Sequence, residues 1–242
     1  MNLAPWKYRQ FKLFSMILRR AIFFIFVSLL CSLSVNAQDK VDTTYMSTYY
    51  VQKVTLFRLL PNTKKEIIFL GNSITDIGEW AEIWKNKKVK NRGISGDNTF
   101  GVLARLDEVL SSAPSKIFIM IGINDIARET PDSIIISNYK KILKSIQAQS
   151  PSTKIFVQSI LPTNDEFTEF KRHQNKTVHI IAINNLLEQY CVENKITYVD
   201  LYSSFLDQDK KLNRQYTNDG LHINGAGYMK WKEILIQKGY MK

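Results

Sequence analysis

The sequence predicts an α/β fold in which helices cover both faces of one five-stranded parallel sheet. Short apolar segments rich in Ile, Val and Phe alternate along the chain with segments whose apolar residues recur at helical spacing. The apolar segments are almost continuously hydrophobic, which is typical of strands buried on both faces. Strands and helices that alternate in this way require right-handed crossovers, so the strands are expected to be parallel.

The elements can be placed in order along the chain. A helix is expected over residues 49–60, where Pro61 and Asn62 end it. Strands are expected over residues 66–70, 89–94, 116–121, 154–160 and 197–201. Further helices are expected over residues 77–84, 99–111, 133–148, 178–193 and 224–237. No repeat, low-complexity tract or Pro/Gly-rich linker divides these elements, which indicates a single domain.

Residues 1–37 have the features of an export signal. An apolar stretch from Ala21 to Val35 ends near Val35-Asn36-Ala37, where small residues would allow cleavage. The basic residues that precede it are Lys7, Arg9, Lys12, Arg19 and Arg20. The stretch is shorter than the roughly 20 residues that cross a bilayer, which favours cleavage over a membrane anchor. We therefore expect a periplasmic or secreted domain of residues 38–242 without a membrane span.

Two features of residues 1–37 allow other interpretations of the start and the processing of the chain. Met16 precedes a more ordinary charged start, so translation could begin there. Cys31 resembles a lipid-attachment site, but the bulky Leu30 before it disfavours lipidation. Removal of the leader leaves Cys191 as the single cysteine, so the exported domain is expected to lack an internal disulfide and to depend on its core.

Loss of the leader's five basic residues would lower the formal net charge from +11 to +6. Part of the remaining excess lies in Lys85, Lys87, Lys88, Lys90 and Arg92. A basic patch of this kind could bind nucleic acid or an acidic polymer. No aromatic or glycine pattern of a nucleic-acid module accompanies it, which favours a solvated helix end and loop. We expect no nucleic-acid partner.

Candidate functional residues lie in or after the ends of four of the predicted strands, and a polar loop separates the fifth strand from the last two of them. Ser73 follows the first, Gly93 lies at the end of the second, and Asn124 follows the third. Asp219 and His222 come after the fifth. Ligands of open parallel sheets bind outside the carboxyl ends of the strands, so these residues are expected to converge on one edge.

These residue types supply the parts of an acyl-transfer site. Asp219 and His222 are three positions apart, so on one helical turn the carboxylate could accept a hydrogen bond from the imidazole and align it as a base. Ser73 needs such a base to attack a carbonyl group. His173 and His179 fall in a polar loop and at a helix start, where solvent-facing roles suffice.

The oxyanion that forms in acyl transfer needs hydrogen-bond donors. The backbone N–H of Ser73, the backbone N–H of Gly93 and the side-chain amide of Asn124 are the three candidates. Taken singly, the serine reads as a helix N-cap, the glycine as a turn former and the asparagine as a polar loop residue. Together with a base they fill every role that acyl transfer requires.

Four sequence blocks resemble those of the SGNH hydrolases, also called the GDSL esterase and lipase superfamily. They are Gly71-Asn72-Ser73-Ile74-Thr75, Asn91-Arg92-Gly93-Ile94-Ser95-Gly96-Asp97, Gly122-Ile123-Asn124-Asp125 and Asp219-Gly220-Leu221-His222. The branch most similar is that of platelet-activating-factor acetylhydrolase-like and carbohydrate acetylesterase proteins. Asn72 stands where the superfamily name has aspartate, which bears on the subfamily rather than on activity.

The resemblance implies a flavodoxin-like three-layer α/β/α fold and a serine esterase that needs no cofactor. It implies Ser73 as nucleophile, Asp219 and His222 as the rest of the triad, and Gly93 and Asn124 as oxyanion donors. Short acyl groups, most often acetyl groups on carbohydrates, are the implied substrates. The sequence has no long Leu-rich or Phe-rich insertion to roof an acyl-chain tunnel, which also favours a small acyl group.

Other functions are weighed against this one. A metal site could use Asp76, Asp97, Asp125, Asp219 and His222, but their spacing matches no recognised ligand pattern, so no metal is expected. A phosphate, FMN or glycan binding module would suit the fold and leave the Asp219 and His222 pair unexplained. Within the enzyme class, a thioesterase or lysophospholipase competes with an acetylesterase.

Overall fold

The computed structural model describes Met16 and residues 43–242, and it confirms the predicted α/β fold. The strands are β1 (Ile67–Gly71), β2 (Val89–Gly93), β3 (Lys116–Met120), β4 (Lys154–Gln158) and β5 (Thr197–Val199). All pairings are parallel and the strand order is β2-β1-β3-β4-β5. The expected export signal, its cleavage site and Cys31 lie outside the described residues, apart from Met16.

Helices form the crossovers between the strands, and a further helix precedes β1 and another follows β5. They are α1 (Thr48–Leu59), α2 (Ser73–Asp76), α3 (Trp80–Ile83), α4 (Thr99–Ala104), α5 (Leu106–Leu110), α6 (Ile123–Ala127), α7 (Asp132–Gln149), α8 (Thr177–Glu193) and α9 (Gly225–Gln237). Short 3-10 helices lie at Lys171–His173, Tyr202–Phe205 and Arg214–Tyr216. None of the helices in the described part of the chain is long and apolar enough to cross a membrane.

Two helices depart from the prediction. The helix expected over residues 77–84 is divided into α2, which begins four residues earlier at Ser73, and α3. The helix expected over residues 99–111 is interrupted at Arg105, whose φ of −121° is not helical. Arg105 turns its fully buried guanidinium group to the carbonyl oxygens of Gly71 and Arg92, and these bonds replace continuous helix. α6 has only five residues, which is too short for a recognisable helical period.

The central strands are buried because helices cover both faces of the sheet. At the centre, the ring of Phe69 stacks on Trp80 at 3.9 Å and on Phe118 at 5.0 Å between centroids. Phe118 stacks in turn on Phe156 at 4.4 Å, so aromatic rings link three adjacent strands. Burial of aromatic side chains dominates the energetics of a core, because each removes a large apolar area from water. This core fixes the strand ends on which the polar residues lie.

α1 packs against the segment that follows β2 rather than against the centre of the sheet. Its buried residues Tyr50, Val54 and Phe57 form a separate apolar cluster with Ile94. Arg92, predicted to belong to a solvated basic patch, is instead buried, and its Nε donates to Glu108 at 3.1 Å. A charge can be buried at this place because it is paired. Cys191 is buried and free.

Candidate active site

Ser73 is the first residue of α2 and follows β1 after a single connecting residue. That residue, Asn72, caps the helix, since its side-chain oxygen accepts the N–H of Ile74 at 3.0 Å. A Cβ atom added at Gly71 would overlap the carbonyl oxygen of Met120, so the turn requires glycine. The N–H of Ser73 donates to no other described residue. The serine therefore presents both its hydroxyl group and a free backbone donor at the carboxyl edge of the sheet.

His222 joins Ser73 to Asp219 by two short hydrogen bonds. Nε2 of His222 lies 2.9 Å from Oγ of Ser73, and Nδ1 lies 2.8 Å from Oδ2 of Asp219. Since the carboxylate is an acceptor, Nδ1 carries the proton and Nε2 of the neutral ring is left to accept from the serine hydroxyl group. The sequence prediction brought these three residues to one edge, and the structure places them in one hydrogen-bonded series.

The segment that carries Asp219 and His222 is a tight turn, not the helical turn expected from their spacing. Oδ1 of Asp219 accepts the N–H groups of Leu221 and His222 at 2.9 and 2.8 Å. Gly220 has a φ of +80°, and an added Cβ would lie 2.5 Å from the carbonyl oxygen of Asn164. Glycine is needed here for both reasons. The side chains meet as predicted, but through this turn.

The same hydrogen bonds control the ionisation of Asp219. Partial burial alone would raise the pKa of its carboxyl group. The N–H of Leu221 and the ring and N–H of His222 outweigh that effect and hold the pKa below its ordinary value. Asp219 is therefore ionised at neutral pH, which is the state that can stabilise a protonated His222.

Asn124 lies in the first turn of α6, after β3. Its Nδ2 donates to the carbonyl oxygen of Asp97 at 2.9 Å, and its Oδ1 lies 3.1 Å from Nε2 of His173. The residue is 8% exposed. A primary amide has two N–H groups, so one remains for a further acceptor. Asn124 thus fits the predicted role of an amide donor by its geometry.

The structure does not favour the oxyanion-donor role that the sequence predicts for Gly93. Its N–H already donates to Oδ1 of Asn91 at 2.8 Å. A Cβ atom added at Gly93 would overlap the backbone of Asp76, at the end of the helix that begins with Ser73. The geometry therefore gives Gly93 a packing role, the close approach of β2 to α2, and does not favour its N–H as an oxyanion donor.

Gly96, three residues further on, has the properties that were expected of Gly93. Its φ is +82° and its N–H donates to no other described residue. It lies in a turn closed by the N–H of Asp97, which donates to the carbonyl oxygen of Ile94 at 3.0 Å. Arg128 donates to the Gly96 carbonyl oxygen at 3.1 Å and to that of Asn124 at 3.3 Å. Gly96 is therefore held beside the asparagine with a free backbone donor.

The loop between β4 and α8 adds two residues that the sequence did not suggest. Phe170 packs its ring edge-on against His222, with 4.8 Å between centroids. His173 contacts Asn124, so the expectation that it faces solvent is wrong. Burial, together with the positive charges of nearby residues, lowers the pKa of His173 to about 4. His179, by contrast, is exposed and pairs with Asp132 at 3.0 Å.

The remaining carboxylates at this edge are held by protein donors. Asp76 accepts from Tyr49, Lys53 and Ser95 at 2.8 to 3.0 Å. Asp125 is fully buried and accepts from the N–H and hydroxyl groups of Thr99. In the described part of the chain, no three His, Cys, Asp or Glu side chains lie close enough together to hold a metal ion.

A hydroxyl, an imidazole and a carboxylate group bonded in series at the carboxyl edge of a parallel sheet form the arrangement of a serine hydrolase. Comparison with known proteins agrees with this class. The profile of the GDSL-like Lipase/Acylhydrolase family matches residues 69–230. The chain belongs to this family and is a carboxylic ester hydrolase.

Individual relatives are similar at moderate identity. The chain is 26% identical over 171 residues to the alpha2 subunit of platelet-activating factor acetylhydrolase IB from Homo sapiens, covering 68% of this chain and 72% of that protein. It is 31% identical over 122 residues to N-acylneuraminate cytidylyltransferase from Streptococcus agalactiae, covering 50% and 27%. A solved Streptococcus pneumonia structure, provisionally described as a platelet activating factor, has a TM-score of 0.71 and 27% identity and covers 88% and 98%.

Proposed function

We propose that Ser73, His222 and Asp219 are the catalytic triad of this ester hydrolase. One observation carries the proposal, namely the series of hydrogen bonds of 2.9 and 2.8 Å that links the serine hydroxyl group to the carboxylate. A serine hydroxyl group does not ionise near neutral pH, so it needs a base in hydrogen-bond contact to become a nucleophile. The ionised Asp219 stabilises the imidazolium ion that results.

The reaction has two halves. Oγ of Ser73 attacks the ester carbonyl carbon while Nε2 of His222 takes the hydroxyl proton, and a tetrahedral oxyanion forms. Collapse of this intermediate breaks the bond to the alcohol oxygen, which leaves with the proton from His222. A water molecule then gives a proton to His222 and attacks the acyl carbon of the acyl-enzyme. Collapse of the second tetrahedral intermediate breaks the bond to Oγ of Ser73, which takes the proton back from His222 as the acid leaves.

Three free donors suit the oxyanion. They are the N–H of Ser73, the N–H of Gly96 and the second amide N–H of Asn124, with Gly96 taking the place that the sequence assigned to Gly93. Loss of one such donor typically lowers kcat by about 10²- to 10³-fold. Each donor is positioned before the substrate binds. The cap at Asn72 orients the start of the helix of Ser73, a closed turn holds Gly96, and a bond to Asp97 holds the amide of Asn124.

The proposed substrates are short acyl esters, most simply acetyl esters of carbohydrates. The name of the Homo sapiens relative refers to an acetyl group, and that of the Streptococcus agalactiae relative refers to a sugar acid. Two pockets in the described part of the chain have volumes of about 430 and 270 Å³. Neither Ser73 nor His222 lines them, so they are poor candidates for an acyl chain bound to Ser73. A thioesterase or lysophospholipase is the alternative.

Fluorophosphonate labelling and p-nitrophenyl acetate hydrolysis test the triad. Ser73→Ala is expected to abolish both, whereas Ser203→Ala, at an exposed serine away from the triad, is expected to leave both unchanged. Full activity of Ser73→Ala would disprove the assignment. A protein that binds a glycan or phosphate without hydrolysis would instead show no labelling and equal binding in both variants.

A panel of esters tests the substrate. Acyl chains graded from acetyl to octanoyl, followed by acetylated xylan, pectin fragments and O-acetylated sialic acid, would separate the candidates. The proposal expects the highest kcat/KM with acetyl and a steady decline with chain length. A preference for octanoyl esters would favour the lipid-directed alternative.

We also propose that residues 1–37 direct export and that residues 38–242 form the hydrolase domain. The basic start and apolar stretch support this proposal. Expression of the full chain, fractionation of the cells and N-terminal sequencing of the product test it. A product that begins near Gln38 in the periplasm or medium is expected, and an uncleaved product in the cytoplasm would contradict the proposal.

A further inference from the structure

His173 contacts the proposed oxyanion donor Asn124 from a distant part of the chain. The two residues are 49 positions apart, and Nε2 of His173 lies 3.1 Å from Oδ1 of Asn124. The contact with Asp97 identifies which atom of the amide is the nitrogen, because the carbonyl oxygen of Asp97 can accept only from Nδ2. The oxygen of the amide therefore faces His173, and the ring must donate to it.

This contact determines the tautomer of His173. A ring that donates from Nε2 and is uncharged has its lone pair on Nδ1. Nδ1 is buried and bonds no described residue. With Nε2 committed to the amide and the ring neutral at neutral pH, His173 adds no positive charge beside the imidazolium ion that forms on His222.

A small cavity lies beside His173 and is large enough for a hydrogen-bond partner of Nδ1. It offers about 10 Å³ to the centre of a water molecule, and its lining includes Thr163, Asp165 and His173. Each of these residues has a buried polar atom, Oγ1, Oδ1 and Nδ1 respectively, that bonds no described residue. The volume is about that of a single water site, and all three atoms are groups that can hydrogen-bond to water.

We propose that His173 is a positioning residue of the oxyanion hole, which orients the amide of Asn124 through a hydrogen bond from Nε2–H. Without this bond the amide can rotate away from the orientation that directs its second N–H at the oxyanion. The inference rests on the proposed function, since it assigns a partner to a donor of the same site.

The primary test is a pair of substitutions at residue 173. His173→Phe keeps a planar ring and removes the donor, and it is expected to lower kcat for p-nitrophenyl acetate about 10- to 100-fold with KM changed less than about twofold. His173→Gln places an amide donor near the position of Nε2 and is expected to recover most of the loss. His179→Phe, at an exposed histidine, is the matched control and is expected to match wild type.

A double-mutant cycle separates positioning from general damage. If His173 acts through Asn124, His173→Phe should lower kcat in the wild type and have no further effect in Asn124→Ala. Multiplicative effects would overturn the inference, as would equal activity of wild type, His173→Phe and His173→Gln. Thermal unfolding of each variant identifies a loss caused by misfolding, and in that case the comparison of His173→Gln with wild type decides.

NMR gives a readout that does not depend on turnover. The ring nitrogen shifts of His173 between pH 6 and 8 are expected to be those of the neutral Nε2–H tautomer, and the Nδ1–H tautomer would overturn the inference. Ser73→Ala distinguishes the two failures. If it remains active, the proposed function fails, whereas an inactive Ser73→Ala beside an undisturbed His173→Phe refutes the role of His173 alone.

Discussion

The guanidinium group of Arg105 donates to the carboxylate of Asp97 at 2.9 Å, and both side chains are fully buried. Arg105 also donates to the carbonyl oxygens of Gly71 and Arg92 at 3.3 and 2.8 Å. Gly71 ends the strand that leads to Ser73, and the carbonyl oxygen of Asp97 holds Asn124. One buried cation therefore connects the strand before Ser73, the proposed nucleophile, to Asn124, a proposed oxyanion donor.

Arg105→Met tests how strongly this ion pair supports the fold. The substitution keeps a long side chain but leaves Asp97 and Glu108 without their shared cation, so the free energy of unfolding is expected to fall by about 3–5 kcal/mol. Arg58→Met, which removes an exposed pair with Asp107 at 3.1 Å, is the control and is expected to cost less than about 1 kcal/mol. Urea denaturation measures both, and equal midpoints would contradict the expectation.

The fold was predictable because it depends on local pattern. Five apolar segments and the polar residues at their ends determine the sheet and its functional edge. The interruption of a helix at Arg105 was not predictable, since it depends on carbonyl oxygens of two strands that are distant in sequence. α6 was not predicted, because its five residues are too few to show the periodicity of a helix.

The candidate site was likewise predictable only in part. Ser73, Asn124, Asp219 and His222 could be selected because each comes after a predicted strand and each suits a proposed role that the others complete. The choice between Gly93 and Gly96 could not be made, because it depends on where the side chain of Asn91 points. The turn residues Ser95-Gly96-Asp97 were the available signal. His173 was missed because its contact joins two short helical segments that are 49 positions apart along the chain.

Asp219→Asn tests whether His222 needs a carboxylate as the acceptor of its Nδ1–H group. An asparagine would present an amide N–H to Nδ1 of His222 and favour the ring tautomer that cannot accept the serine proton. We expect kcat to fall by about 10³- to 10⁴-fold, as in other triads that lose their carboxylate. Asp132→Asn, which alters the exposed pair with His179, is the matched control and should retain wild-type kcat. A loss below tenfold in Asp219→Asn would argue against the role of this carboxylate.

Alanine substitution distinguishes the two glycines after β2. In Gly93→Ala the Cβ overlaps the backbone of Asp76, so we expect the unfolding free energy to fall by about 1–3 kcal/mol. In Gly96→Ala no atom lies within 4 Å of the new Cβ, but φ of +82° is strained for alanine by about 1–2 kcal/mol. Relaxation of that turn would misdirect the free N–H and lower kcat.

Urea denaturation and kcat are compared for the two variants. The expected pattern is a larger loss of kcat, at equal fractions of folded protein, in Gly96→Ala than in Gly93→Ala. The reverse pattern would return the donor role to Gly93.

The pH dependence of stability tests the environment of His173. Burial, with the charges of His222, Arg128, Lys176 and Arg172, lowers its pKa in the folded state to about 4, from 6.5. The unfolded chain therefore binds a proton more readily, so this contribution to stability is complete above about pH 6.5 and is lost as the pH falls toward 4. Between pH 7 and 4, wild type is expected to lose on the order of 2–3 kcal/mol more than His173→Gln. His179→Gln is the control and should follow wild type, and parallel curves for wild type and His173→Gln would show that residue 173 is not buried as described.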